Sequence, residues 1–342
     1  MLWSDLGLGI FSLLQTGIGL LGNSALLIVY VKGFISQTQR KKPTDLILSH
    51  LIVANTVTLL TQGTLASMLT FQMENHMEEN GCRVILYIRR VSRGLSICTT
   101  CLLSVFQAVT ISPSTSLWAT IKYRAPNYIL PSFLFFWILN LLMYTDLLRV
   151  EVATKNVNIT VKSCNIKYCF NIFWMHYLNY ETFLSAITLR DVLFVLLMSW
   201  ASCYMVTVLY RHRKQVQHIH STSSSSKSSA ETRATHTILL LVSCFVCFYW
   251  INCSINLASS FLEEDDFRLN NTATFLGACY PSVCPLVLIN SEPRVPKIQC
   301  VLEKGRGFFF TLIQFLALFS TQDPSMKDPI RGEKKQVLRK GS

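Results

Sequence analysis

The sequence predicts an all-α fold: a bundle of seven transmembrane helices. Three observations carry this. Seven apolar segments, near 7–31, 45–69, 83–110, 128–148, 190–210, 236–260 and 271–290, each run about 20 residues or more, the length an α-helix needs to cross a hydrocarbon core of about 30 Å. Charged residues make up only 15% of the 342 positions and hydrophobic ones 51%, whereas a soluble domain is about a quarter charged. Lys and Arg are also segregated, with 21 in the segments on one side of the predicted membrane and 5 on the other. Cytoplasmic loops carry that excess, so the N-terminus is expected outside and the C-terminus inside. The basic balance then reflects topology, and no nucleic-acid partner is expected.

The elements follow in order. The first segment is preceded by six residues that hold Asp5 and no Lys or Arg; without a small-residue cleavage site it reads as an uncleaved signal anchor. Within it, Gly22 permits close backbone approach and Asn23 can hydrogen-bond to a neighbouring helix. Residues 32–44, with four Lys or Arg, form the first inner loop, and 70–82, with none, the first outer one. The third segment is the only one with a cluster of cations. Residues 111–127 return the chain inside, and 149–189 make a long outer loop. Residues 221–229, STSSSSKSS, cannot bury a core and break the inner segment between helices five and six. The acidic run Glu263-Glu264-Asp265-Asp266 reads as a solvated outer loop before helix seven. Residues 1–304 are expected to form the bundle. Residues 305–342 form a divergent cytoplasmic tail, whose apolar stretch Phe308–Phe319 is too short to span by the same rule.

The sequons at Asn158 and Asn270 both fall in predicted outer segments and are the expected glycosylation sites. Of twelve cysteines, most lie in apolar segments and read as packing thiols, including the pairs Cys98/Cys101 and Cys244/Cys247. Cys82, Cys164 and Cys169 lie outside, in an oxidising compartment where one disulfide can pin the long loop.

Arg89, Arg90 and Arg93 are the sharpest functional signal. An ionisable group inside a spanning helix costs about 2.5–3.5 kcal/mol on insertion scales and marks a functional site. At 1.5 Å per residue, Arg89 lies about 10 Å and Arg93 about 16 Å along the helix from Cys82, at the depth of an outward-facing pocket. Arg93 shares a face with each of the other two. Arginine's planar fork suits carboxylate, sulfate or phosphate, so the functional reading is recognition of a small anionic ligand. The alternative is internal pairing with Asp146, Asp191 or Glu181. Ile97, Phe194, Tyr249, Asn252 and Asn256 are further pocket candidates, with helix packing as their alternative role. No nucleophile–base pair and no metal-ligating set stands out, so neither an enzyme, a metal nor a cofactor is expected.

Several longer stretches resemble the vomeronasal type-1 receptors, candidate pheromone sensors within the seven-helix G-protein-coupled receptors. They are CLLSVFQAVTISP from Cys101 to Pro113, LILSHLIVAN from Leu46 to Asn55, YRHRKQVQHIH from Tyr210 to His220, and CYPSVCPLVL from Cys279 to Leu288. The resemblance implies a plasma-membrane chemosensory receptor that takes a small pheromone-like ligand and couples to an inhibitory-type heterotrimeric G protein. It favours Cys82–Cys169 as the outer disulfide, with Cys164 the alternative. It also puts Arg89 where amine receptors carry an aspartate, which disfavours amine ligands. Compared with rhodopsin-like receptors in general, Gly19 to Asn23 keeps the helix-one pattern GLLGN. Phe106-Gln107-Ala108 stands in place of the DRY triplet, so no arginine lock is available there. Gln107, Ile111, Trp118, Arg211, Arg213 and Arg233 are the expected inner contacts for a G protein, and the basic ones can also meet anionic lipid headgroups. A bitter-taste-like receptor and a transporter are the rival readings. The transporter lacks support because no internal repeat and no midplane acid is evident.

Overall fold

The computed structural model describes residues 3–36, 42–70, 79–113, 118–145, 177–219, 235–251 and 267–291. By its contacts the chain divides into Met1–Val295 and Pro296–Ser342, and all described residues lie in the first. They form seven helices, numbered here α1 (Trp3–Ile35), α2 (Pro43–Thr70), α3 (Glu79–Ile111), α4 (Ala119–Met143), α5 (Tyr177–Ile219), α6 (Thr235–Ile251) and α7 (Phe267–Ser291).

Each predicted segment coincides with a helix, and the limits differ most at α4 and α5. The sequence reading starts helix four at 128, yet α4 begins at Ala119 and carries Pro126 and Pro131 inside it. In hydrocarbon an unpaired backbone costs more than a strained helix, so the chain stays helical past its prolines. α4 ends in a turn at Tyr144, where the Thr145 N–H donates to Leu142 O at 3.2 Å, short of the predicted 148. α5 is 43 residues long, about 65 Å at the standard rise, and so projects well beyond the bilayer. Its basic stretch after Tyr210, expected as loop, is helical because Arg, Lys and Gln are good helix formers.

α3 is the centre of the bundle. Of its apolar stretch 72% is buried, against 22% for α4 and for α5, which turn Leu130, Leu134, Leu142 and Leu196 outward. Polar contacts run down the α2–α3 seam: Thr58 donates to Ser92 at 3.0 Å, Ser96 to Asn55 Oδ1 at 2.7 Å, and His50 Nδ1 lies 3.0 Å from Thr99 Oγ1. The indole of Trp137 on α4 donates to His50 Nε2 at 3.1 Å. That leaves the imidazole proton on Nδ1, facing Thr99, whose own hydroxyl donates to Leu95 O. On α3's other sides Thr100 meets Tyr280 of α7 at 2.9 Å, and Ser112 meets Tyr204 of α5 at 2.9 Å.

α1 docks on α7 through a local defect. Pro285 has no N–H, so the carbonyl of Pro281, one turn back, has no partner within α7. Asn23 supplies it: its Nδ2 donates to Pro281 O at 3.0 Å and to Gly19 O at 2.7 Å. Gly22 makes this approach possible, since a Cβ there would lie 3.0 Å from Pro285 Cβ. The GLLGN of helix one and the second proline of helix seven are therefore one device. Asn23→Ala should lower thermal stability by about 1–3 kcal/mol through the orphaned carbonyl. Adding Pro285→Ala, which restores the intrahelical N–H, should recover most of that loss. Equal loss in the single and double variants would separate the two features.

Candidate functional site

Arg89 and Arg93 project from the outer half of α3 toward α7. They converge on Gly277: a Cβ built there would lie 3.7 Å from Arg89 Nη2 and 3.8 Å from Arg93 Nη1, with no other atom of the described residues within 4 Å beyond α7's own backbone and chain neighbours. Among the described residues the Arg89 guanidinium has no hydrogen-bond or ion-pair partner, although the Arg89 carbonyl accepts from Ser92 at 3.1 Å; its charged neighbours are Arg90 and Arg93. Beside Gly277 lies a cavity of ≈ 30 Å³. Arg93 and the hydroxyl-bearing Thr58, Ser96, Tyr249 and Tyr280 supply its polar wall, and Ile97, Phe245, Phe248 and Leu276 its apolar one. Tyr280 is held by Thr100 and packs edge-on against Phe245 at 4.7 Å. A space this size takes about one or two waters, well below a drug-sized pocket of ~300–1,000 Å³.

The structure thus gathers Arg89, Arg93, Ile97 and Tyr249. It does not gather Phe194 and Arg90 with them. Phe194 packs edge-on against Phe136 of α4 at 5.9 Å, within the cluster of Val91, Leu95 and Cys98; the packing role fits it. Arg90 is exposed, because a neighbour of Arg89 on a helix points about 100° away. Asn252 and Asn256 lie outside the described residues, as do Cys164, Cys169, Asn158, Arg233 and the tail. Cys82 and Asn270 are placed in the first turns of α3 and α7, so the second sequon opens a helix instead of sitting in a loop.

Asp191, offered as an internal partner for the α3 cations, is engaged elsewhere. Arg190, which the sequence reading passed over, fills a buried site between α3, α4 and α5. Its Nε and Nη2 donate to Asp191 Oδ1 at 2.9 and 2.6 Å. Its Nη1 donates to Asn140 Oδ1 at 2.7 Å and faces Met143 Sδ at 3.7 Å, and its Nη2 donates also to the Tyr144 hydroxyl at 3.0 Å. Every guanidinium N–H therefore has an acceptor. Asn140 completes the network through Phe136 O at 2.8 Å and Cys98 Sγ at 3.7 Å. Gly94 makes room for it, since a side chain there would collide with Asn140 Oδ1 and come within 3.0 Å of Arg190 Nη1. The available signal was an Arg-Asp pair at the head of an otherwise apolar run.

At the inner end Gln107 Nε2 of α3 donates to Thr235 Oγ1 of α6 at 3.2 Å, and both residues are buried. Trp118 is half-buried and packs on Trp200 of α5 at 5.9 Å. Ile111 is half-buried and Arg211 exposed. Arg213 lies on the projecting end of α5.

The vomeronasal organ pheromone receptor family matches residues 7–301. Human vomeronasal type-1 receptor 3 is 38% identical over 86% of this chain and 94% of its own length. Human vomeronasal type-1 receptor 4 is 37% identical over 82% and 93%. The chain belongs to the vomeronasal type-1 receptor family. A zebrafish (Danio rerio) relative, olfactory receptor class A-like protein 1, is 32% identical over 84% of the chain and 90% of its own length. In fold, the crystal structure of squid rhodopsin superposes with a TM-score of 0.63 at 14% identity, covering 85% of this chain and 78% of that one. The chain is accordingly a multi-pass membrane protein, a chemosensory receptor of the G-protein-coupled type, and not an enzyme.

Family membership gives the Gln107–Thr235 contact a meaning. Where other rhodopsin-like receptors carry an arginine, Gln107 here meets α6 through a neutral hydrogen bond to Thr235. Such a bond contributes about 0.5–1.5 kcal/mol, so Thr235→Val should raise ligand-independent signalling by roughly 2–10-fold. Unchanged basal signalling at matched surface levels would show that the bond does not favour the resting arrangement.

Proposed function

We propose that this receptor recognises a small, pheromone-like anion in the outer half of its bundle and activates an inhibitory-type heterotrimeric G protein. The convergence of Arg89 and Arg93 on Gly277 supports the first part most strongly. Two cations held at one point in a membrane interior favour a ligand that carries the opposite charge, and the arginine fork suits a sulfate or carboxylate. Ile97, Tyr249 and Phe248, around the cavity, offer the apolar body of such a ligand its contact. Since the cavity has room for no more than one or two water-sized molecules as it stands, entry of an organic anion requires aromatic side chains of α6 and α7 to move. That movement couples ligand to signal, because a ligand shifts a conformational equilibrium only through different affinities for its two states.

On the inner face the proposed G-protein contacts are Gln107, Ile111, Trp118, Arg211, Arg213 and Arg233. Gln107 is buried against Thr235 and becomes available when α6 leaves. A Cys82–Cys169 disulfide, glycans on Asn158 and Asn270, and a cytoplasmic tail at 305–342 complete the proposal. To test it, cells with confirmed surface expression are exposed to sulfated steroids and organic acids beside their neutral counterparts, with inhibitory-type and other G proteins read in parallel. Saturable responses confined to the anions and to the inhibitory type are expected. Responses confined to neutral members would make the arginines structural.

A further inference from the structure

We propose that the ligand-free receptor binds a single inorganic anion of chloride size between Arg89, Arg93 and Gly277. The space left by Gly277's missing side chain is faced by two guanidinium nitrogens, one from each arginine, at 3.7 and 3.8 Å. The two nitrogens belong to different side chains, so an anion placed between them takes an N–H from each. The adjoining cavity of ≈ 30 Å³ admits a monatomic ion and is too small for an organic one. Among the described residues Arg89 has only like-charged neighbours, and repulsion between two cations is poorly screened away from water. An anion between them converts that repulsion into two charge-assisted hydrogen bonds. Asp191, an acid on the adjoining α5, is held by Arg190.

The same two arginines serve the proposed organic ligand, but resting occupancy does not depend on that reading and is measured without ligand. An organic anion would displace the inorganic one on entry. The competing occupants are water in the cavity and, for Arg93, the backbone: Pro281 lacks the N–H that would pair with the carbonyl of Gly277, leaving an acceptor close by.

The test uses the purified full-length chain in lipid nanodiscs, unfolded thermally in sodium chloride or sodium gluconate at equal ionic strength. Chloride should raise the midpoint saturably, by about 2–5 °C at concentrations well above its dissociation constant, and bromide should substitute for it. Gly277→Ala places a methyl at ordinary contact distance from both nitrogens, so it should fold while filling the space; its midpoint should be indifferent to chloride. Arg89→Gln should behave likewise, and Arg124→Gln, exposed at the inner part of α4, should keep the chloride shift. Equal midpoints for the unaltered chain in both salts overturn the proposal in favour of water or the carbonyl. A chloride shift that persists in full in Gly277→Ala and Arg89→Gln overturns this location. If anionic ligands activate a receptor that is indifferent to chloride, the ligand reading stands and this one falls.

Discussion

Replacing Arg190 with leucine is expected to strip the receptor from the cell surface. Arg190 and Asp191 are both 7% exposed and lie in direct contact at 2.6 Å. Removing the cation leaves a buried carboxylate without its partner, and loss of one member of a buried pair costs about 3–5 kcal/mol. That is a large fraction of the ~5–15 kcal/mol that holds a typical fold. Asn140 and Tyr144 lose a partner at the same time. The double variant Arg190→Leu/Asp191→Leu removes both charges together. In a low-dielectric setting that exchange is close to neutral, and Asn140 retains its bonds to Phe136 O and Cys98 Sγ. The double variant should therefore recover much of the surface expression, measured by labelling of intact cells. If single and double variants fall equally, the network acts through shape and not through charge. Gly94→Ala should resemble the single variant, because its methyl displaces Asn140 from the same network.

The second large effect concerns the ligand. Arg93→Gln should raise the concentration of an anionic agonist needed for half-response by roughly 10–100-fold. A charge-assisted hydrogen bond is worth about 1.5–3 kcal/mol, and each 1.4 kcal/mol is tenfold. A neutral counterpart, if active at all, should shift by less than about twofold. Arg93→Lys keeps the charge but loses the planar fork, so it should fall between. Equal shifts for charged and neutral ligands would assign Arg93 to packing.

Much of the fold was legible because hydrocarbon imposes one backbone solution. Apolar runs of spanning length located all seven helices. Helix ends were not legible where they leave the apolar rule. Ala119 to Asn127 and the stretch after Tyr210 are polar yet helical, for reasons of propensity and continuity that hydropathy does not see. At the site, helical spacing put Arg93 on a face with each of Arg89 and Arg90 and separated those two from one another, but it could not say which pair meets α7. It could not supply Gly277 or Tyr280, which come from the far end of the chain and meet α3 only in the folded bundle. Pocket and packing roles for Phe194 could not be told apart in the sequence, because depth along α5 carries no information about which neighbour that face meets. At Arg190 only the adjacent Asp191 was legible; its other acceptors, Asn140, Met143 and Tyr144, belong to a different helix and no local pattern announces them.

An anion arriving in the outer half should change the inner half. Nucleotide exchange on purified inhibitory-type G protein, driven by the purified receptor in lipid nanodiscs, tests it most directly, using one active anion and its neutral counterpart. Exchange should rise saturably with the anion, stay near basal with the neutral molecule, and lose its anion response in Arg93→Gln, while the Thr235→Val variant starts from a higher baseline. Exchange stimulated equally by the neutral counterpart, or by the anion in unaltered and Arg93→Gln receptors alike, would contradict it.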